Sequence, residues 1–188
     1  MIGLRLASDQ PLRVLALGAH CDDIEIGAGG ALLQWAAGPG GMEFGAYIAT
    51  STPQRAQESR SALAALTGDG AQVTISELRD TRLPADFDAL KDELSVLAGQ
   101  PWDVVLCPHA DDAHQDHAIL GRLTPTAFRD HLILRYEIPK WDGDLGSLQP
   151  NMYVQLSAEQ LERKWQVLDE HYTSQRSREW CDFETISS

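Results

Sequence analysis

Arg13-Val14-Leu15-Ala16-Leu17-Gly18-Ala19-His20-Cys21-Asp22-Asp23, with Gly27, Gly29 and Gly30 close behind, reads as a buried strand that runs into a glycine-rich turn and then a helix. Such a unit opens an open α/β sheet, in which ligands gather outside the carboxyl ends of the parallel strands. The turn carries one imidazole and two carboxylates. A second apolar run, Val104-Val105-Leu106-Cys107, leads into Pro108-His109-Ala110-Asp111-Asp112-Ala113-His114-Gln115-Asp116-His117. If both strands lie in one parallel sheet, the two His/Asp clusters open onto the same edge and converge.

Outward from the first strand the alternation continues. The spacing predicts a helix over 28–37, stopped by Gly38-Pro39-Gly40-Gly41, then a strand over 44–49. Thr52-Pro53 supplies a cap and a first-turn proline for a helix to about Leu66, and a strand follows over 72–75. A helix over 86–98, a strand over 102–107, a helix after His114 and a strand over 132–137 complete a βαβα order. Pro139, Gly143, Gly146 and Pro150 mark a long loop, a candidate lid or substrate wall. Ser157-Ala158-Glu159-Gln160 has the form of a capping box for a helix that ends near His171.

The chain has 188 residues and is 43% hydrophobic, which suits a single domain over 1–188 with a substantial core. Its 15 basic against 28 acidic residues leave a net charge of −13, and this opposes a nucleic-acid partner, whose phosphates require clustered Lys and Arg. Cys21, Cys107 and Cys181 are widely spaced, so neither a disulfide framework nor a cysteine zinc knuckle is expected. A reducing cytoplasm fits best. No apolar run approaches the length of a membrane span, and Met1–Ser8 lacks the apolar core of a signal peptide. A homo-oligomer is compatible with the sequence, although no apolar stripe marks an interface.

A catalytic zinc commonly takes three ligands from His, Asp and Glu and leaves a position open. His20, Asp23 and His117 are the candidate set. His and carboxylate donors suit Zn2+ and also Fe2+, Mn2+ or Co2+. Asp22, beside a ligand, is placed to take a proton from an activated water. His114 precedes His117 by three residues and shares its helical face, so it can stabilise an oxyanion or protonate a leaving amine, while Asp116 orients a ring. An Asp-Asp pair after a strand is also what a solvated helix cap looks like. Three histidines and three aspartates between His109 and His117 exceed what a loop needs for solvation.

Ala19-His20-Cys21-Asp22-Asp23-Ile24-Glu25-Ile26-Gly27 and His114-Gln115-Asp116-His117 resemble the paired motifs of the LmbE-like, or PIG-L-type, metal-dependent deacetylases. The resemblance implies a Rossmann-like, three-layer α/β/α fold with a mostly parallel sheet. It also implies hydrolysis of an N-acetyl group from an amino sugar such as N-acetylglucosamine, a sugar nucleotide or a glycan precursor. By the same match His20, Asp23 and His117 are the metal ligands, Asp22 the general base, and His114 the transition-state stabiliser or acid. Arg55-Ala56-Gln57-Glu58 is similar to the family's Arg-x-x-Glu, which makes Arg55 a substrate-binding candidate. Lys140 and Trp141, in a segment similar to that of bacterial relatives, are candidates for a phosphate contact and a sugar-stacking contact. Cys21 stands where the family usually has proline.

Two alternatives have different signatures. A metal-dependent hydrolase of another amide or of a phosphoester with two ions would need further carboxylates, and Asp111, Asp112 and Asp116 are available. A non-catalytic, metal-containing sugar-binding protein would close its metal with a fourth protein ligand.

Overall fold

The computed structural model describes residues 10–139, 150–178 and 181–187. Five strands, β1 (Leu12–Gly18), β2 (Met42–Ile48), β3 (Gln72–Ile75), β4 (Val104–Pro108) and β5 (Leu132–Tyr136), form one sheet in the order β3-β2-β1-β4-β5. Every pairing is parallel. Strand order reverses between β1 and β4, and this gap is the switch point at which open α/β sheets bind ligands. The two motif-bearing loops leave these two neighbouring strands.

The helices are α1 (Asp23–Gly27), α2 (Gly29–Ala36), α3 (Pro53–Thr67), α4 (Phe87–Ala98), α5 (Gln115–Ala127), α6 (Ala158–His171) and α7 (Phe183–Ser187), with a 3-10 turn at Leu83–Asp86. Each crossover between parallel strands is right-handed by rule, so reversing the strand order moves the helices to the opposite face. Two core clusters record this. Val14 and Ala16 of β1 pack with Leu32, Leu63 and Val167 from α2, α3 and α6. Leu15 and Leu17 point the other way, into Leu90, Leu94, Leu120 and Leu123 from α4 and α5. A strand covered on both faces must be apolar throughout, which is why β1 reads as a continuous run rather than an alternation.

The expected helix over 28–37 is instead two, because the chain turns helical at Asp23 and breaks at Ala28 before resuming at Gly29. Thr52 caps α3 by accepting the Arg55 N–H, with Pro53 in the first turn. Ser157 and Gln160 make the expected reciprocal capping box of α6. The fourth strand starts at Val104 rather than Trp102, since the Trp102 indole donates to Leu97 O and Asp103 turns to pair with Arg13 at 2.7 Å. No helix among the described residues is long and apolar enough to cross a membrane.

Candidate metal centre

His20 follows β1 by two residues, and its backbone N–H donates to Asp23 Oδ2 at 2.8 Å, so the Asp23 carboxylate folds back over the turn. Asp22 completes that turn at φ 117°, a conformation that L residues rarely adopt and that strained functional turns tolerate. His117 lies in the first turn of α5 and is fully buried. Helix α5 can approach the β4 loop because residue 121 is glycine. A Cβ there would sit 2.5 Å from Pro108 O and 3.0 Å from Ala110 N.

Three donor atoms meet between these elements. His20 Nδ1 is 3.1 Å from His117 Nε2 and 3.4 Å from Asp23 Oδ2, and His117 Nε2 is 3.3 Å from the same Asp23 oxygen. Bonds of about 2.0–2.1 Å in a tetrahedral array put ligand atoms about 3.3 Å apart, so the triangle has the size that one zinc-like ion requires. Electrostatics agree with the geometry. Burial disfavours charge on His20, yet Asp23, Asp116 and Asp80 hold its pKa up at about 12. Burial is likewise outweighed at His117, where Asp23 and Asp112 push the value up to about 9. Surroundings that retain protons on two buried imidazoles make the demand for positive charge that a divalent cation meets on binding.

The outer nitrogens are backed by carboxylates. His20 Nε2 is 3.3 Å from Asp116 Oδ2 and 3.2 Å from Asp80 Oδ1, while Asp116 Oδ1 accepts the Leu83 N–H at 3.1 Å. His117 Nδ1 is 3.1 Å from Asp112 Oδ2. The His114 ring stacks on His117 at 4.6 Å and stands edge-on to His20 at 4.7 Å. Its Nδ1 accepts the Asp116 N–H at 3.2 Å, which leaves Nε2 as the protonated donor of the neutral ring. Burial, then the charges on His117 and His20, lower its pKa.

Asp22 is buried and paired with Arg55, whose Nη2 lies 2.8 Å from Asp22 Oδ2 and also donates to Cys21 O. Arg55 lies over the Tyr172 ring at 5.0 Å and reaches Glu58 and Ser174 at 3.4 and 3.3 Å. Cys21 is buried, with its thiol 3.1 Å from Ser51 Oγ, and burial pushes that thiol up to about 11. A protonated thiol held there is a small packing side chain, not a ligand of the triangle.

The structure thus gathers His20, Asp22, Asp23, His114, Asp116, His117 and Arg55 at one sheet edge. Lys140 and Trp141 lie outside the described residues. Asp111, Asp112 and Asp116 turn to different partners: Asp111 is exposed beside Arg122 at 3.6 Å, Asp112 backs His117, and Asp116 clusters with His20 and Asp80. Sequence reasoning missed Asp80, Glu25 and Tyr172. Glu25 is fully buried, accepting from Ser59 Oγ at 2.8 Å and Tyr172 OH at 2.5 Å. A charged residue set between the apolar Ile24 and Ile26 was its available signal.

The sequence profile of the PIG-L family, GlcNAc-PI de-N-acetylase, matches residues 15–128. The chain is 32% identical over 174 residues to the uncharacterized deacetylase YaiS of Escherichia coli K12, covering 84% of this chain and 89% of that one. Among solved structures it resembles N,N'-diacetylchitobiose deacetylase from Pyrococcus horikoshii, with TM-score 0.69 and 20% identity over 92% of this chain and 74% of that one. It equally resembles GalB, the 4-carboxy-2-hydroxymuconate hydratase of Pseudomonas putida KT2440, with TM-score 0.69 and 17% identity over 94% of this chain and 83% of that one. These structural likenesses establish the fold, which evidently serves more than one reaction. Identity to a deacetylase along most of both chains, together with a profile match that spans both motifs, shows that this chain belongs to the PIG-L, or LmbE-like, family of deacetylases.

Proposed function

We propose that the chain is a zinc-dependent N-deacetylase that hydrolyses the acetamide of an N-acetylated amino sugar, free or within a sugar conjugate, to acetate and a free amine. The observation that carries this reading is the triangle of His20 Nδ1, Asp23 Oδ2 and His117 Nε2 with Asp22 beside it. These three residues would hold the ion, which when bound supplies Lewis-acid activation of water and of the amide carbonyl. Fe2+, Mn2+ and Co2+ suit the same donors.

The remaining steps belong to the side chains. Asp22 takes the proton that the attacking water loses, and Arg55 keeps the carboxylate aimed while it does so. His114 donates from Nε2 to the carbonyl oxygen as it gains charge, because its Nδ1 is already engaged by the Asp116 N–H. When the C–N bond breaks, the proton held on Asp22 passes to the departing nitrogen. Asp116 holds the His20 ring from behind and is itself fixed by the Leu83 N–H. A cytoplasmic setting is supported by three free cysteines.

The test is acetate release from a panel of N-acetylhexosamines, free and nucleotide-linked, with protein stripped of metal and then reloaded with zinc. Zinc-dependent release identifies the deacetylase and ranks its substrates. Silence across the panel with zinc bound would reject the amino-sugar reading.

A further inference from the structure

His117 is buried on every side, and the corner it contributes to the triangle is Nε2. Its ability to serve there depends on what holds the opposite nitrogen. Among the described residues Nδ1 makes no well-aligned hydrogen bond, and the acceptor within reach is Asp112 Oδ2 at 3.1 Å. That carboxylate is nearly buried, with 4% of its side chain exposed. Its other oxygen is committed as well, since Oδ1 accepts the His114 N–H at 2.8 Å, immediately before α5 begins. The Asp112 N–H in turn donates to His109 O at 3.3 Å, which ties the residue to the loop leaving β4.

We infer that Asp112 is a positioning residue: one carboxylate fixes both the ring that presents Nε2 to the metal and the start of the helix that carries that ring. The inference rests on the reading of His117 as a metal ligand. An acceptor at Nδ1 puts the ring proton there and leaves the Nε2 lone pair for coordination, and the same contact restrains ring rotation. His20 is backed differently, by Asp116 and Asp80 together at its Nε2. Removing one of that pair leaves the other, whereas Asp112 is the one carboxylate paired with His117 Nδ1 among the described residues. Because Asp112 is turned to the back of His117, its carboxylate is not free to serve as a ligand of a second ion.

The experiment measures zinc affinity by chelator competition for wild type, Asp112→Asn, Asp112→Ala and Asp80→Asn, with the melting temperature of each metal-free protein recorded alongside. Asp112→Asn keeps an oxygen for the His114 N–H, so it is the variant that folds if alanine does not. Zinc affinity should fall about 10–100-fold in the Asp112 variants and less in Asp80→Asn, with one ion per wild-type chain. Activity of Asp112→Asn should recover as zinc is raised past its weakened affinity, a rescue that general structural damage would not show. Affinity within about twofold of wild type in a folded Asp112→Asn protein overturns the inference, as does loss of one of two bound ions in that variant. The deacetylase reading is decided separately. Wild type that binds zinc but releases no acetate refutes that reading and leaves the affinity ratio to judge Asp112, and wild type that binds no zinc overturns both.

Discussion

Arg55 is committed to Asp22: its Nη2 lies 2.8 Å from Asp22 Oδ2 in a setting where both side chains are largely shielded from water. The guanidinium is also held by the Tyr172 face, Glu58 and Ser174. A guanidinium pinned on so many sides acts on the base more directly than on a ligand. Arg55→Gln should therefore lower kcat with little change in KM, by about 100-fold if the carboxylate shifts by about 1 Å. A predominant rise in KM would show that Arg55 contacts substrate instead.

Asp22→Asn should leave zinc binding nearly intact while lowering turnover by about 100- to 10,000-fold, the usual contribution of a general base. Asparagine is the informative choice because it tolerates the positive φ of 117° that alanine would resist. Full activity in this variant would remove Asp22 from the mechanism.

The central strand β1 was legible because a strand covered on both faces must be continuously apolar, and the edge strand β3, whose exposure alternates, still coincides at Gln72–Ile75 with its expected range. Caps were legible for an equally local reason, since Thr52 and Ser157 bond to backbone only three residues ahead. The meeting of the two His/Asp clusters was legible through their placement after two strands that prove to be neighbours. Asp80 was not, because it reaches His20 from a β3–α4 loop whose sequence carries no pattern. Tyr172 and Glu25 meet across 147 positions, and no local rule links residues so far apart. The break at Ala28 escaped because glycines after a motif read alike whether they end a turn or interrupt a helix.

Glu25 gives the fold a pH dependence of definite sign. Burial raises its carboxyl from the ordinary 4.5 to about 7, against the opposing hydrogen bonds from Tyr172 and Ser59. The folded state thus binds the proton more tightly than the unfolded chain. The stabilisation this provides is complete below the unfolded value and is lost as pH rises through about 7. A tenfold tighter hold on one proton is worth about 1.4 kcal/mol, so the effect is of the order of a few kcal/mol. With metal loading held constant, thermal unfolding should show the difference between Glu25→Gln and wild type moving in favour of the variant from pH 5 to pH 8. A constant difference across that range would mean that Glu25 does not titrate with folding.

Gly27 tests the packing of α1, which ends the first motif, against the end of β5. A Cβ at this position would lie 2.3 Å from Tyr136 Cδ2 and 2.5 Å from Glu137 O, and Tyr136 donates its hydroxyl to Leu17 O at 2.6 Å. Helix α1 therefore closes on the end of β5 only because no side chain intervenes. Gly27→Ala should destabilise by about 1–3 kcal/mol as an overpacked contact, which lowers Tm by about 2–12 °C for a chain of this size. Trimming Tyr136 in the same protein should recover only part of the loss, because the Glu137 carbonyl remains in the way. If Gly27→Ala melts within about 1 °C of wild type, α1 has room that the backbone geometry denies it, and the glycine would have to be explained by something other than close approach.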